Sequence, residues 1–155
     1  MQIKLSLTVC EGAVESNPQP LLMLELESQP SIETLGLSLA NGKAALAQLQ
    51  VLIVTRQVEP MLASQRRLES CGLNRALKDY HDVHYRSLFG RVVVRAPRWQ
   101  RCACSVRTEI AVRRRGISAE LEYVQSRLAA TMPYARSSEL LELLLPVAGA
   151  NAPSR

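Results

Sequence analysis

Three cysteines, Cys71, Cys102 and Cys104, and two histidines, His81 and His84, place thiol and imidazole groups around the middle of this chain. Thiolates at short spacing, Cys-x-Cys on one side and a Cys-Gly turn on the other, are donors that a tetrahedral zinc site takes, each sulfur about 2.3 Å from the ion. One donor position is altered: three residues before Cys71, where a Cys-x-x-Cys turn would put its partner, stands Leu68. Three thiolates hold zinc if His81, His84 or a water completes the tetrahedron, Cys-x-Cys being a tight but usable bite. His81 and His84 are three apart, so on a strand they face opposite sides and at most one turns towards the ion. The alternative is that the metal is lost and packing of Leu88, Phe89, Val92 and Val94 holds the segment. Cys10 is remote from the others in sequence and reads as a small buried hydrophobe.

Arginine is the second chemistry-bearing residue type. From Arg66 to Arg115 there are thirteen Lys and Arg against four acids, Glu69, Asp79, Asp82 and Glu109, a local balance of +9 within a net charge of +5. The rest of the chain is therefore net acidic. Positive charge concentrated in this way is the footprint of a phosphate-backbone binder, whose affinity comes from counterion release. A solvated basic face without a partner is the other reading. The arginines would act first on phosphates, with Tyr80, Tyr85 and Trp99 placed to pack beneath guanidinium groups or stack on unpaired bases. Trp99, between Arg98 and Arg101, is either such a site or a plug at the base of the hairpin.

Catalytic chemistry finds little support. Two-metal strand transfer needs three converging carboxylates, whereas the chain has only two aspartates, Asp79 and Asp82, predicted to point to opposite faces of one strand. Cys71 with His81 or His84 lacks a third, orienting group. Gly36 and Gly42 fit neither a P-loop nor a dinucleotide fingerprint.

The elements that must position these groups follow from periodicity. At 155 residues, 47% hydrophobic and 21% charged, the chain has the composition of a folded protein with one ordinary core or two small subdomains, built mainly from aliphatic residues. Ile3, Leu5, Leu7 and Val9 alternate with polar residues as in a half-buried strand. Asn17 to Pro20 is a turn or linker, and Leu21 to Leu26 is either a second strand or the lead-in to a helix. From Ser38 to Val58 the composition is helical, with Leu39, Leu46, Leu49 and Ile53 on one stripe that serves core packing or self-association. Pro60 interrupts it, and Met61 to Leu68 continues as a kinked or separate helix. Two strands, Lys78 to Arg86 and Arg91 to Pro97, flank a turn ending in Gly90. On the second, Arg91, Val93 and Arg95 share one face opposite Val92, Val94 and Ala96, with Lys78, Arg86, Arg98 and Arg101 extending the positive surface. Ser118 caps a helix with Glu120 and Glu122 in its first turn, and Ser137 or Ser138 precedes a last, leucine-rich helix stopped by Pro146.

The order LGLSLANGKAALAQLQ, a CG turn, KDYH-x3-YRSLFG-x-VVVRAPRW-x2-C-x-C, and a helix ending PYARSSELLELLLP resembles the N-terminal region of bacterial insertion-sequence transposases of the ISKra type. The resemblance covers about Met1 to Pro146. It implies an N-terminal strand and helix, a zinc-ribbon-like DNA-binding module and helices leading towards a helix-turn-helix, with a three-carboxylate nuclease domain further downstream. Where the family's first turn usually reads C-P-x-C-G, this chain reads Leu68-Glu69-Ser70-Cys71-Gly72, so Cys71, Cys102 and Cys104 are the positions that match metal ligands. The catalytic domain has no counterpart here, and the resemblance implies a truncated transposase-derived protein.

The expectation is an α+β protein: an N-terminal strand and helical region over 1–68, a zinc-ribbon-like β-hairpin over 69–106, C-terminal helices over 107–146 and a disordered tail over 147–155. The expected function is non-catalytic binding of double-stranded DNA through Lys78, Arg86, Arg91, Arg95, Arg98, Trp99 and Arg101, with Zn²⁺ as a candidate structural ion. The competing expectation is a helical self-association module, or an inert remnant. Further expected partners are a second copy of the chain or an intact related transposase. With no 18-residue apolar run and no signal-peptide pattern, a cytoplasmic protein without a membrane partner is expected.

Overall fold

The alternation of Ile3, Leu5 and Leu7 produces strand β1 (Gln2–Leu7), which pairs antiparallel with β4 (Gln19–Glu25), Ile3 opposite Leu24 and Leu5 opposite Leu22. These coordinates are a computed structural model that describes residues 2–25, 31–67, 72, 74–100 and 116–147. The run beginning at Leu21 is thus a strand over its described part. Pro20 is accommodated because the register shifts beside it: Leu5 faces Leu22 but Ser6 faces Pro20, leaving Leu21 as a bulge where a residue lacking an N–H is tolerated. Between them a small hairpin, β2 (Cys10–Glu11) with β3 (Val14–Glu15), occupies the connection. Cys10 is exposed there, correcting its expected burial.

After a short 3-10 turn (Ile32–Thr34), helix α1 (Leu39–Ser64) begins at Ser38, whose Oγ accepts the Asn41 N–H at 3.1 Å. It runs unbroken through Pro60, so the expected interruption and separate helix are corrected. A proline there deletes one intrahelical bond. Val58 before it and Leu62 after it are both packed on the neighbouring hairpin, and that packing holds the helix together. The expected apolar stripe is also displaced. Val54 and Val58 are the buried residues, whereas Leu39, Leu46 and Ile53 are exposed. Val54 lies one residue, about 100°, around the axis from Ile53, and the helix turns that side to the hairpin while another side rests on β4.

The hairpin is β5 (Leu77–Ser87) and β6 (Gly90–Trp99), joined by the two-residue turn Leu88-Phe89. Val92, Val94 and Ala96 point inwards and share two small cores with Val54, Val58, Val83, Leu62 and Tyr85. Gly90 has φ +112°, and a Cβ there would lie 3.1 Å from the Pro146 carbonyl oxygen, so the turn needs glycine both for its conformation and for its closeness to the C-terminal segment.

Helix α2 (Ala119–Ala129) starts as expected at Ser118, whose Oγ accepts the Leu121 N–H at 3.1 Å, with Glu120 and Glu122 in the first turn. Helix α3 (Tyr134–Leu144) begins earlier than expected. Ser137 does not cap it but sits inside its first turn, buried, its hydroxyl donating to the Pro133 carbonyl at 3.2 Å. Leu121, Leu141 and Val147 form the core of this end, with Ile117 and the hairpin's Leu88 packed against them. Val147 is fully buried, so the tail expected to be disordered is fixed at its first residue; 148–155 lie outside the described residues. A parallel bridge between Arg86 and Ile117 ties the segment before α2 to the edge of β5, through Arg86 N–H to Gly116 O at 2.9 Å and Ser118 N–H to Arg86 O at 2.8 Å.

The protein is therefore α+β, with α1 between two small sheets and a helical pair at the hairpin's turn. The hairpin has no core of its own, since one face is completed by α1 and its turn by α2 and α3. Among the described residues, no helix is long and apolar enough to cross a membrane.

Candidate nucleic-acid interface

The face of the hairpin turned away from α1 is set by counting outwards from the Leu88-Phe89 turn: Arg86 faces Arg91, His84 faces Val93, Asp82 faces Arg95 and Tyr80 faces Pro97. Residues opposed in an antiparallel pair share a face, so Arg91 and Arg95 stand with Arg86, His84, Asp82 and Tyr80 on one surface. All of these are exposed except Arg86, which is half-buried. Arg91 donates from Nη2 to His84 Nδ1 at 2.8 Å, a contact that fixes which imidazole nitrogen accepts. Arg95 lies over Tyr80, its guanidinium carbon 4.9 Å from the ring centroid, within cation–π range. Val93, exposed between the two arginines, is the apolar centre of the surface.

Arg98 belongs elsewhere. It pairs with Asp79 in a two-point ion pair, Nε to Oδ1 and Nη2 to Oδ2, the latter at 2.6 Å. By register this pair lies on the side of the hairpin that carries Val94 and Ala96, so the two aspartates do point to opposite faces, Asp79 held by Arg98 and Asp82 beside the arginine surface. The hydrogen bonds from Arg98 hold the Asp79 carboxyl below its usual range, its positive charge adding to the effect.

Trp99 is half-buried, and its indole Nε1 is enclosed without a hydrogen-bond partner, which fits the plug at the hairpin base better than an open stacking platform. Tyr80, half exposed, is the aromatic residue presented among the arginines. Lys78 is exposed at the irregularity where Leu77 pairs with Trp99 and Asp79 with Arg98. Arg101 and the thiols Cys71, Cys102 and Cys104 lie outside the described residues. The structure thus brings Arg86, Arg91 and Arg95 together and sets Arg98 apart.

Two features of this surface went unread in the sequence, the His84–Arg91 contact and Asp82 opposite Arg95. Both were accessible, because once the turn is fixed at Leu88-Phe89 the register follows by counting. The two histidines face opposite sides, as their spacing requires. His84 is engaged by Arg91 through Nδ1, while both ring nitrogens of His81 are enclosed without a hydrogen-bond partner. Among the described residues no three His, Cys, Asp or Glu side chains cluster as a metal site would require.

Comparison with known proteins adds no relative to this geometry: no family model matches the chain, and neither a curated protein nor a solved structure matches it.

Proposed function

We propose that the protein binds double-stranded DNA without catalysis, through the outer face of β5 and β6. The observation that carries this reading is the placement of Arg91 and Arg95, exposed on one side of a two-stranded ribbon with Tyr80 beneath Arg95, while the opposite side of the ribbon is committed to α1. A two-stranded ribbon has dimensions that the major groove admits. Guanidinium groups along it would take phosphate oxygens, and Val93 between them offers the kind of apolar contact that a thymine methyl group makes. The sequence resemblance to insertion-sequence transposases supports the same assignment and a transposase-derived origin. The non-catalytic part rests on the carboxylates: Asp79 is tied to Arg98 and Asp82 lies on the other face, so the two do not converge on one ion. Zinc held by Cys71, Cys102 and Cys104 would serve as a structural fastening.

Binding of the protein to short duplex DNA across a salt series tests this. Affinity should fall steeply with salt, and Arg91→Ala and Arg95→Ala should each weaken binding and lower the log–log salt slope by about one. Arg98→Ala should have a smaller effect, because its guanidinium is already occupied by Asp79. Absence of binding at low salt, or equal losses from all three substitutions, would remove the ribbon face as the interface.

A further inference from the structure

Asp82 is the one carboxylate on the outer face of the ribbon among the described residues. It is exposed, directly opposite Arg95, with Val93 and Pro97 diagonal to it on β6 and Tyr80 and His84 two residues away on either side along β5. Opposite charges in such a position ordinarily pair across the ladder. These two do not. The Arg95 guanidinium lies over the Tyr80 ring, and among the described residues no hydrogen bond or ion pair holds the Asp82 carboxylate, whereas Asp79 on the other face is held at two points by Arg98. Nor does His84 reach it through Nδ1, which already accepts from Arg91.

An ionised carboxylate accepts hydrogen bonds and donates none. Phosphate oxygens are negatively charged acceptors, so on a DNA-facing ribbon Asp82 repels the backbone that Arg91 and Arg95 attract. What it can take are the exocyclic amino groups on base edges in the major groove. Adenine sets its N6 donor beside the N7 acceptor, an arrangement that suits an amide, whereas cytosine offers the N4 donor that suits a carboxylate. We infer that Asp82 reads sequence on this face by accepting a hydrogen bond from N4 of a cytosine, so that the preferred duplexes carry a C·G pair beneath it. The inference rests on DNA binding through the ribbon: arginine contacts to phosphate supply affinity and register, and the base contact supplies selectivity. Where the base pair beneath lacks that donor, the carboxylate is left desolvated and unpaired, so the residue that favours the right duplex penalises the wrong ones. Such a penalty is what separates a selective interface from a uniformly basic one.

Competition among short duplexes drawn from a pool randomised over about ten base pairs, one helical turn, tests it with the full chain. The parent should enrich cytosine at one position by roughly tenfold over adenine or thymine. Asp82→Ala should lose that preference and bind the disfavoured duplexes more tightly than the parent does, the unpaired carboxylate being gone. Asp82→Asn, equal in charge to the alanine variant, should move the preference at the same position to adenine, whose N6 and N7 an amide takes together. Asp82 is exposed, so both variants should keep the parent's melting temperature. If both instead tighten every duplex by the same factor and keep the parent's sequence preference, Asp82 acts through its charge alone and the inference is overturned. A parent that binds with steep salt dependence but without any preference for cytosine overturns it as well, leaving the ribbon reading in place. No binding by the parent at low salt removes the ribbon reading itself and this inference with it.

Discussion

Asp79 and Arg98 occupy opposing positions near the open end of the ribbon, and their two-point contact gives the pair a geometry that a flexible lysine would not supply. Because Arg98's hydrogen bonds lower the Asp79 pKa in the folded state, the pair adds stability above the unfolded carboxyl value, near 4, and loses it as the pH falls through the lower folded value. Asp79→Asn should therefore be less stable than the parent at neutral pH and converge with it in acid. Thermal midpoints measured from neutral pH to about pH 3 check this, and parallel curves for the two proteins would rule it out. Both groups are substantially exposed, so the difference should shrink with added salt. At this scale the sequence was legible where local rules sufficed: the Ser118 cap, the opposite orientation of His81 and His84, and the arginine face of β6. It was not legible for Arg98, whose partner lies nineteen residues away across a register that includes an irregularity.

Elements were more legible than their faces. The ribbon and the α2 start follow from alternation, glycine and capping serine. Which side of α1 is buried did not follow, because aliphatic residues surround the helix and only its neighbours, one sheet on each of two sides, decide between Val54 and Ile53. Pro60 misled for a related reason: propensity alone breaks the helix there, but tertiary contacts of Val58 and Leu62 outweigh the lost bond. Pro60→Ala, at an exposed position, should restore that bond without disturbing packing and stabilise the protein by about 1 kcal/mol or more. A denaturant midpoint that is unchanged or lowered would mean that the proline is specifically required.

Among the described residues the buried side chains fall into small clusters, Val54 with Val92 at the centre and Leu121 with Val147 at one end, rather than into one large core. A small core gains most from a cross-link at its weakest boundary. If Cys71, Cys102 and Cys104 hold zinc, chelation should lower the melting temperature, with the loss of protection concentrated near Leu77 and Trp99 in hydrogen exchange. A melting curve indifferent to chelator would leave packing alone to hold the ribbon.

The close approach of Gly90 to the Pro146 carbonyl and the reach of Lys43 to the end of α3, 99 positions along the chain, both tie early elements to the C-terminal helices. During synthesis the ribbon can settle on α1 as soon as β6 emerges, because every residue of that shared core precedes Gln100. The ribbon's tip cannot. Leu88 and Gly90 wait for Leu141, Pro146 and Val147, translated some fifty residues later, so a later step closes over a part already formed. Until then Leu88 lacks its partners, and the C-terminal helices act as the tip's lid in time as well as in space.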